Sequence, residues 1–383
     1  MPPDADPIVL NLHGLLAIGL VGAGTAEIAA VRRQVGPLPA VEGRDPDIVI
    51  RFVDRLTPDG PMRPLGREAA YDDTSFLVLR GRRKAGVRVA VPVDRLGSRP
   101  IELIAERGLP AVPYLLPIIN LTMLSGGTIP VHASAFIADG RGVLVTGWAK
   151  GGKSEALLAF ADHGAAYVGD EWVFVTADGA SMAGLPEPMR VWDWQLEQVP
   201  HLRDRIGLGR RLRLGAAAGT SRVLHATSRA PLLRSTAPGD TARRLEAIAD
   251  QQRSLQIPPA QIFEGRVATG LTHLDVVILI ETVVDAAPSV EPIAAAQVAR
   301  RAAATIAYES LDVQALALAY RYAFPDREVP FVGSLAATIE ERLRAAIAST
   351  PCLLVRHPSP ADIPALHDLI AETIAGLPPP ARA

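Results

Sequence analysis

Apolar positions follow two spacings along the chain. Up to about residue 105, short runs such as Ile48–Val53, Phe76–Arg80 and Val87–Val93 alternate with loops rich in Pro, Gly and Asp. That is the pattern of short strands broken by turns, and it predicts a small α+β N-terminal domain over residues 1–110. Val112–Leu124 predicts a helix closed by Ser125-Gly126-Gly127. Val131–Ala138 and Val143–Thr146 then form a predicted hairpin around Asp139-Gly140-Arg141-Gly142. Leu274–Glu281 is a continuous apolar run of the kind that parallel sheets bury on both faces. Between them, residues 215–255 hold Ala, Thr, Ser, Gly and many Arg with few apolar positions, which predicts a mobile insertion. Beyond residue 291 helical spacing dominates in Ala294–Ala307, Val313–Tyr322 and Ser334–Ala348, with one β-like run at Cys352–Val355. The last helix is expected to end near Ala375 and the Pro-rich tail to fray. The fold class is therefore α/β: a core over 111–290, a small N-terminal domain and a mostly helical part over 291–383.

Composition narrows the function. At 383 residues, 49% of them hydrophobic and 21% charged, the chain can bury a sizeable core. Lys plus Arg (39) nearly balance Asp plus Glu (41), so no global field draws the protein to nucleic acid or an anionic membrane. Any phosphate binding must be local. The single cysteine, Cys352, excludes an intramolecular disulfide and a cysteine-rich metal site. The apolar stretch from Ile8 to Val21 follows Asp4 and Asp6 and is interrupted by Asn11, His13, Gly14 and Gly19. It fits neither a signal peptide nor a bilayer span, and a cytoplasmic location is expected.

The chemistry concentrates in Gly147-Trp148-Ala149-Lys150-Gly151-Gly152-Lys153-Ser154, which satisfies the Walker A pattern between an apolar strand and the helical segment Glu155–Asp162. Glycines in such a loop let backbone N–H groups converge on phosphate oxygens at a helix N-terminus. Lys153 then neutralises β/γ-phosphate charge, and Ser154 supplies a hydroxyl to Mg²⁺. Gly164 closes the helix, and the strand Ala165–Gly169 ends in the acids Asp170 and Glu171, only 17 residues after Lys153. This early position brings both carboxylates to the sheet edge that carries the loop. Adjacent acids beside a metal can divide the work, one staying ionised on the metal while the other titrates. His132 opens the preceding strand, where a lone His is more often a core residue than a catalytic one. Arg190, in a loop with Glu187 near a Trp192/Trp194 pair, is a candidate clamp for phosphate charge. The two Trp have the alternation of one strand face and read as packing.

These residues resemble the catalytic domain of bacterial HPr kinase/phosphorylase: a His at the start of a strand (His132), a hairpin into Gly147–Glu155, a helix closed by Gly164, then an apolar strand ending in Asp170-Glu171. The resemblance is strong over about forty residues. It implies an HPr kinase-like P-loop core, a mixed sheet flanked by helices and related to phosphoenolpyruvate carboxykinase. It further implies ATP and Mg²⁺ as cofactors, with Asp170 as the base that takes a serine hydroxyl proton, and Glu171 with Asp170 and Ser154 on the metal. His132 would sit beside the catalytic acid, and Gly147–Glu155 with Arg190 would hold the nucleotide. The family's downstream Glu-Ile-Arg-Gly-x-Gly signature and its basic Pro-Gly-Arg-Asn-like loop are missing, which counts against the carrier protein HPr as acceptor and against the reverse reaction. The expected activity is phosphorylation of a hydroxyl on a peptide, a protein or a small alcohol. A homo-oligomer is left open, and the alternative is a non-catalytic nucleotide-binding regulator with the same fold.

Overall fold

The computed structural model describes residues 7–80, 86–229 and 253–379. The stretch from Ile8 to Val21 breaks at His13 and Gly14, whose φ angles are 52° and 78°, a backbone region that glycine reaches freely and few other residues do. It therefore folds back as a hairpin of β1 (Ile8–Leu12) and β2 (Leu16–Val21). These strands join β3 (Ala40–Val41), β4 (Ile48–Val53), β5 (Arg63–Leu65), β6 (Ala69–Tyr71), β7 (Phe76–Arg80), β8 (Gly86–Ala90) and β9 (Ile101–Glu106). Together they form one mixed sheet in the order β3-β1-β2-β4-β9-β8-β7-β6-β5. Of the three β-runs expected in this region, Ile48–Val53 and Phe76–Arg80 lie in it whole, while Val87–Val93 is strand only as far as Ala90, with Val93 opening a 3-10 turn.

The helix Leu115–Ser125 leads into a second mixed sheet. Its first strands are β10 (Ile129–Ala138), β11 (Arg141–Gly147), β12 (Ala166–Gly169), β13 (Trp172–Val175) and β14 (Ser181–Gly184). A separate two-stranded ladder pairs β15 (Met189–Trp192) with β16 (Ser254–Ile257). The second sheet is completed by β17 (Thr272–His273), β18 (Val276–Val283), β19 (Ser289–Pro292) and β20 (Cys352–Pro358). Its order is β17-β14-β13-β10-β11-β18-β20-β19, with β12 also paired to β10. The hairpin β10–β11 turns at Asp139 and Gly140, both at positive φ (50° and 72°), the two-residue turn that matches strand twist. β11, β18 and β20 run parallel.

Alternation along the parallel strands explains the layers. Val143, Val145, Val276, Ile278, Ile280, Leu353 and Val355 face the helices Lys153–Ala161 and Ile363–Ala375. Leu144, Val277, Leu279, Cys352 and Leu354 face the other way, onto the helices Ala295–Glu309 and Leu335–Ala346. That second core is continuous through Leu115–Ser125 with the inner face of the N-terminal sheet. The protein is thus mixed α/β, with two large mixed sheets flanked by helices.

Three local expectations change. Residues 208–229 form a helix, Leu208–Arg229, that buries Leu214, Ala217 and Ala218. The expected insertion over 215–255 therefore starts as ordered helix, and its central part, 230–252, lies outside the described residues, as do 380–383 of the tail. Arg190 sits on a paired strand and not in a loop. Trp192 and Trp194 share no strand face, since the strand ends at Trp192 and a helix, Asp193–Gln198, begins at once. The C-terminal part also contributes β20, an inner strand, because its run of Leu353, Leu354 and Val355 is buried on both faces.

Gly169 and Gly184 fix where the acid pair emerges. A Cβ on Gly184 would meet Gly169 Cα at 2.4 Å and Val168 O at 2.5 Å, and one on Gly169 would meet Gly184 Cα at 2.8 Å. Backbone cannot yield there as a side chain could. Gly184→Ala should destabilise the fold by about 1–3 kcal/mol and displace Asp170. Denaturant unfolding would check the first effect, and unchanged stability would show that the close approach is not a constraint.

Candidate functional site

The glycine-rich loop Gly147–Ser154 follows β11 and opens the helix Lys153–Ala161, the strand–loop–helix context expected of it. Three of its glycines sit where a Cβ would be crowded. A Cβ on Gly147 would meet Ile280 O at 2.4 Å, one on Gly151 Trp148 O at 3.0 Å, and one on Gly152 His357 Nε2 at 2.2 Å. Gly152 also has φ of 104°. The loop is wound tightly, with Gly151 N donating to Trp148 O at 3.0 Å, and it ends at a helix N-terminus, where the helix dipole favours an anion. Lys153 is buried, and its Nζ donates to the carbonyls of Gly147 (3.2 Å) and Trp148 (3.0 Å). Burial lowers its pKa, while Glu171, Asp170, Glu309 and Glu155 hold it up. Trp148 and Lys150 are exposed, and Ala149 is half-buried. The Trp148 ring lies 5.0 Å from that of Tyr308.

The acid pair meets this loop. Ser154 Oγ donates to Asp170, 3.1 Å from Oδ1 and 3.2 Å from Oδ2. Asp170 is buried, and burial, reinforced by the charge of Glu171, pushes its pKa up to about 7 against the hydrogen bond from Ser154. Glu171 behaves differently. Its φ of 65° swings the side chain away from Asp170, and it accepts a 2.9 Å bond from His132 Nε2. That bond, with the charges of His132, Lys153 and Arg190, lowers its pKa against the desolvation that would raise it. The two neighbouring carboxyls are thus driven apart in pKa, the mark of groups with different tasks. His132 is buried beside Glu171 and not beside Asp170, as the sequence had implied, and its Nδ1 lies 3.9 Å from Glu309 Oε1. Arg190 is exposed and acts on Glu171 through its charge. Glu155 is held by Gln195, whose Nε2 donates to it at 2.8 Å.

Two participants were not expected from sequence. His357 Nε2 lies 2.9 Å from Gly151 O and its Nδ1 lies 2.8 Å from Pro358 O. The ring thus bridges the loop to the end of its own strand. The signal was available: His357 follows the apolar run 352–355 at the end of a parallel strand, where α/β sheets collect their site residues. Glu309, at the C-terminus of a helix, had no comparable signal.

The arrangement offers backbone donors and an ammonium to an anion, beside hydroxyl and carboxylate oxygens of the kind hard cations take. Among the described residues no group of three or more His, Cys, Asp or Glu is placed to hold a metal ion. A cation here would rely on Ser154, the acid pair, phosphate oxygens and water, the usual way Mg²⁺ is held. No helix among the described residues is long and apolar enough to cross a membrane. No family model and no curated protein matches the chain.

Because burial raises Asp170 above its unfolded value of 3.8, the folded state favours its protonated form. Its contribution to stability is therefore full below about pH 4 and is lost as pH rises through about 7. Asp170→Asn, which cannot ionise, should melt a few degrees above wild type at pH 8 without nucleotide, with the gap closing toward pH 5. Calorimetry across that range tests this, and a variant less stable than wild type at pH 8 would contradict it.

Proposed function

We propose that this protein is an ATP-dependent kinase with an HPr kinase-like P-loop core, transferring a γ-phosphoryl group to a hydroxyl of a peptide, a protein or a small alcohol. One observation carries the reading: Ser154 and Asp170, 16 residues apart in sequence, touch at the mouth of a crowded glycine loop. A chance glycine turn has no reason to bury a carboxylate against its terminal hydroxyl. The unmatched family comparison leaves this reading to rest on the geometry and on the motif resemblance.

Mg²⁺ would supply charge neutralisation between the β- and γ-phosphates, and the oxygen donors of Ser154, Asp170 and Glu171 suit it. The loop N–H groups orient the triphosphate, and Lys153 moves from the carbonyls of Gly147 and Trp148 to phosphate oxygens, trading neutral acceptors for charged ones. Asp170, with a pKa of about 7, is matched to general-base work near neutrality. In the step itself the acceptor oxygen bonds to the γ-phosphorus as the bridging P–O bond breaks. ADP leaves with that electron pair, and the hydroxyl proton passes to the Asp170 carboxylate. Glu171, kept ionised by His132, would stay with the cation.

The Ser154–Asp170 contact also favours a second division of labour, with Asp170 on the metal beside Ser154 and the Glu171–His132 pair taking the proton. His132→Asn separates the two. It should alter the pH dependence of turnover strongly if the pair is the base, and weakly if Asp170 is.

Purified protein with Mg·ATP and hydroxyl acceptors should release ADP with formation of a phosphate ester. Lys153→Ala should weaken nucleotide binding and turnover together. Asp170→Asn should keep nucleotide affinity while losing about 10²–10⁴-fold in rate, and wild-type activity should rise with pH through about 7. Equal turnover in all three proteins would refute the kinase. Nucleotide binding with no turnover in wild type would leave the non-catalytic regulator.

A further inference from the structure

Next to the acid pair lies a small cleft of about 10 Å³, room for one water-sized group such as an ammonium, lined among others by Asn120, Pro130, Trp172, Ile306, Glu309 and Ser310. Trp172 comes directly after Glu171 in the chain and is paired with His132 across the strands, with its ring 5.5 Å from that of His132. The cleft and the reacting residues therefore share a wall. Most of its lining is apolar, which makes its few polar atoms informative.

Those atoms share one character. Glu309 presents a carboxylate with a side chain 23% exposed, as the last residue of the helix Ala295–Glu309. Asn120 is 7% exposed and its Oδ1 has no hydrogen-bond partner. His132 is 4% exposed and its Nδ1 likewise has none, 3.9 Å from Glu309 Oε1. Buried polar atoms without partners are rare in folded proteins and call for an explanation. A carboxylate and an unpartnered amide oxygen lining one small opening ask for a group that carries several N–H donors and a positive charge. An ammonium has three donors and no acceptor.

We propose that this cleft is the acceptor subsite of the kinase and that it selects a hydroxyl compound bearing an ammonium group a few bonds from the hydroxyl, such as an amino alcohol or the free N-terminus of a seryl peptide. The inference rests on the phosphoryl-transfer reading for its orientation: the ammonium docks on Glu309 and Asn120, and the hydroxyl reaches the Asp170 end. The positive charge also meets the field of Glu309, which already reaches Lys153 on the far side. Trp172 offers an aromatic face of the sort that attracts a desolvated cation.

The test compares L-serinamide with N-acetyl-L-serinamide, which keeps the hydroxyl and removes the charge. Binding of each probe to the full chain is measured by calorimetry with Mg·ADP, and phosphorylation of each is measured separately with Mg·ATP. Wild type should bind L-serinamide at least about tenfold more tightly. Glu309→Gln, nearly isosteric and partly exposed, should bring the ratio close to one, while Glu309→Asp should keep a preference. Equal binding of the two probes by wild type, weak or strong, overturns the proposal, and so does a preference that survives Glu309→Gln. A charge preference in binding without phosphoryl transfer would uphold the cleft and refute the kinase, so the two failures are distinguishable.

Discussion

Strand β10 is the member on which the rest of the site depends. One edge pairs with β11 and so sets where the glycine loop begins, with Ala133 opposite Thr146. Its other edge is shared by two partners: Ala135, Phe136 and Ile137 pair with β12, with an irregularity between Ala135 and Phe136, while residues 129–132 pair with β13. Asp170 and Glu171 occupy the gap between those two partners, with the Glu171 carbonyl bonded to Ala133 N. Side chains reinforce the register. Ser134 Oγ donates to Lys153 O at 2.7 Å, and Thr146 Oγ1 to His132 O at 3.1 Å. Since a one-residue slip of a strand exchanges its faces, the doubly buried β10 has one register open to it. That register brings loop and acids together.

Charge inside this frame is unevenly shared. Asp170 is desolvated with one hydroxyl donor, an expensive position for a carboxylate, and the pKa shift is the form that cost takes. Glu171 escapes it by turning to His132 and solvent, its side chain 57% exposed. On the opposite side Lys153 rests on two loop carbonyls and His357 on a third. The glycine loop is therefore braced by side chains that satisfy its carbonyls.

Much of this was legible in the chain. Continuous apolar runs marked β18 and the hairpin β10–β11, because a strand buried on both faces must be apolar throughout. The loop and its acids were legible because their chemistry fixes a spacing. The small N-terminal strands β3, β5 and β6, of two or three residues each, were not, since so few positions carry no period. The helix Leu208–Arg229 was missed because its Arg and Gly content mimics a loop, while only Leu214, Ala217 and Ala218 touch the core. Glu309, Asn120 and His357 stand roughly 30–200 residues away from the motif in the sequence. They enter the site through sheet order and helix packing, which no local pattern encodes.

The turn at Glu171 shows why the acids must be adjacent yet act separately. On an extended strand, successive side chains point to opposite faces, which would send one carboxyl into the core and away from both the loop and solvent. The left-handed backbone at Glu171 breaks that alternation. It costs a non-glycine residue about 1–2 kcal/mol, and nothing in strand pairing requires it to be Glu. Strain of this kind persists where surrounding structure over-determines it, and it gathers at functional sites. Here the hydrogen bond from His132 and the ladder bond to Ala133 hold the residue in place. They leave Asp170 on the loop hydroxyl and turn Glu171 toward His132, so that one dipeptide holds its two carboxyls on different partners.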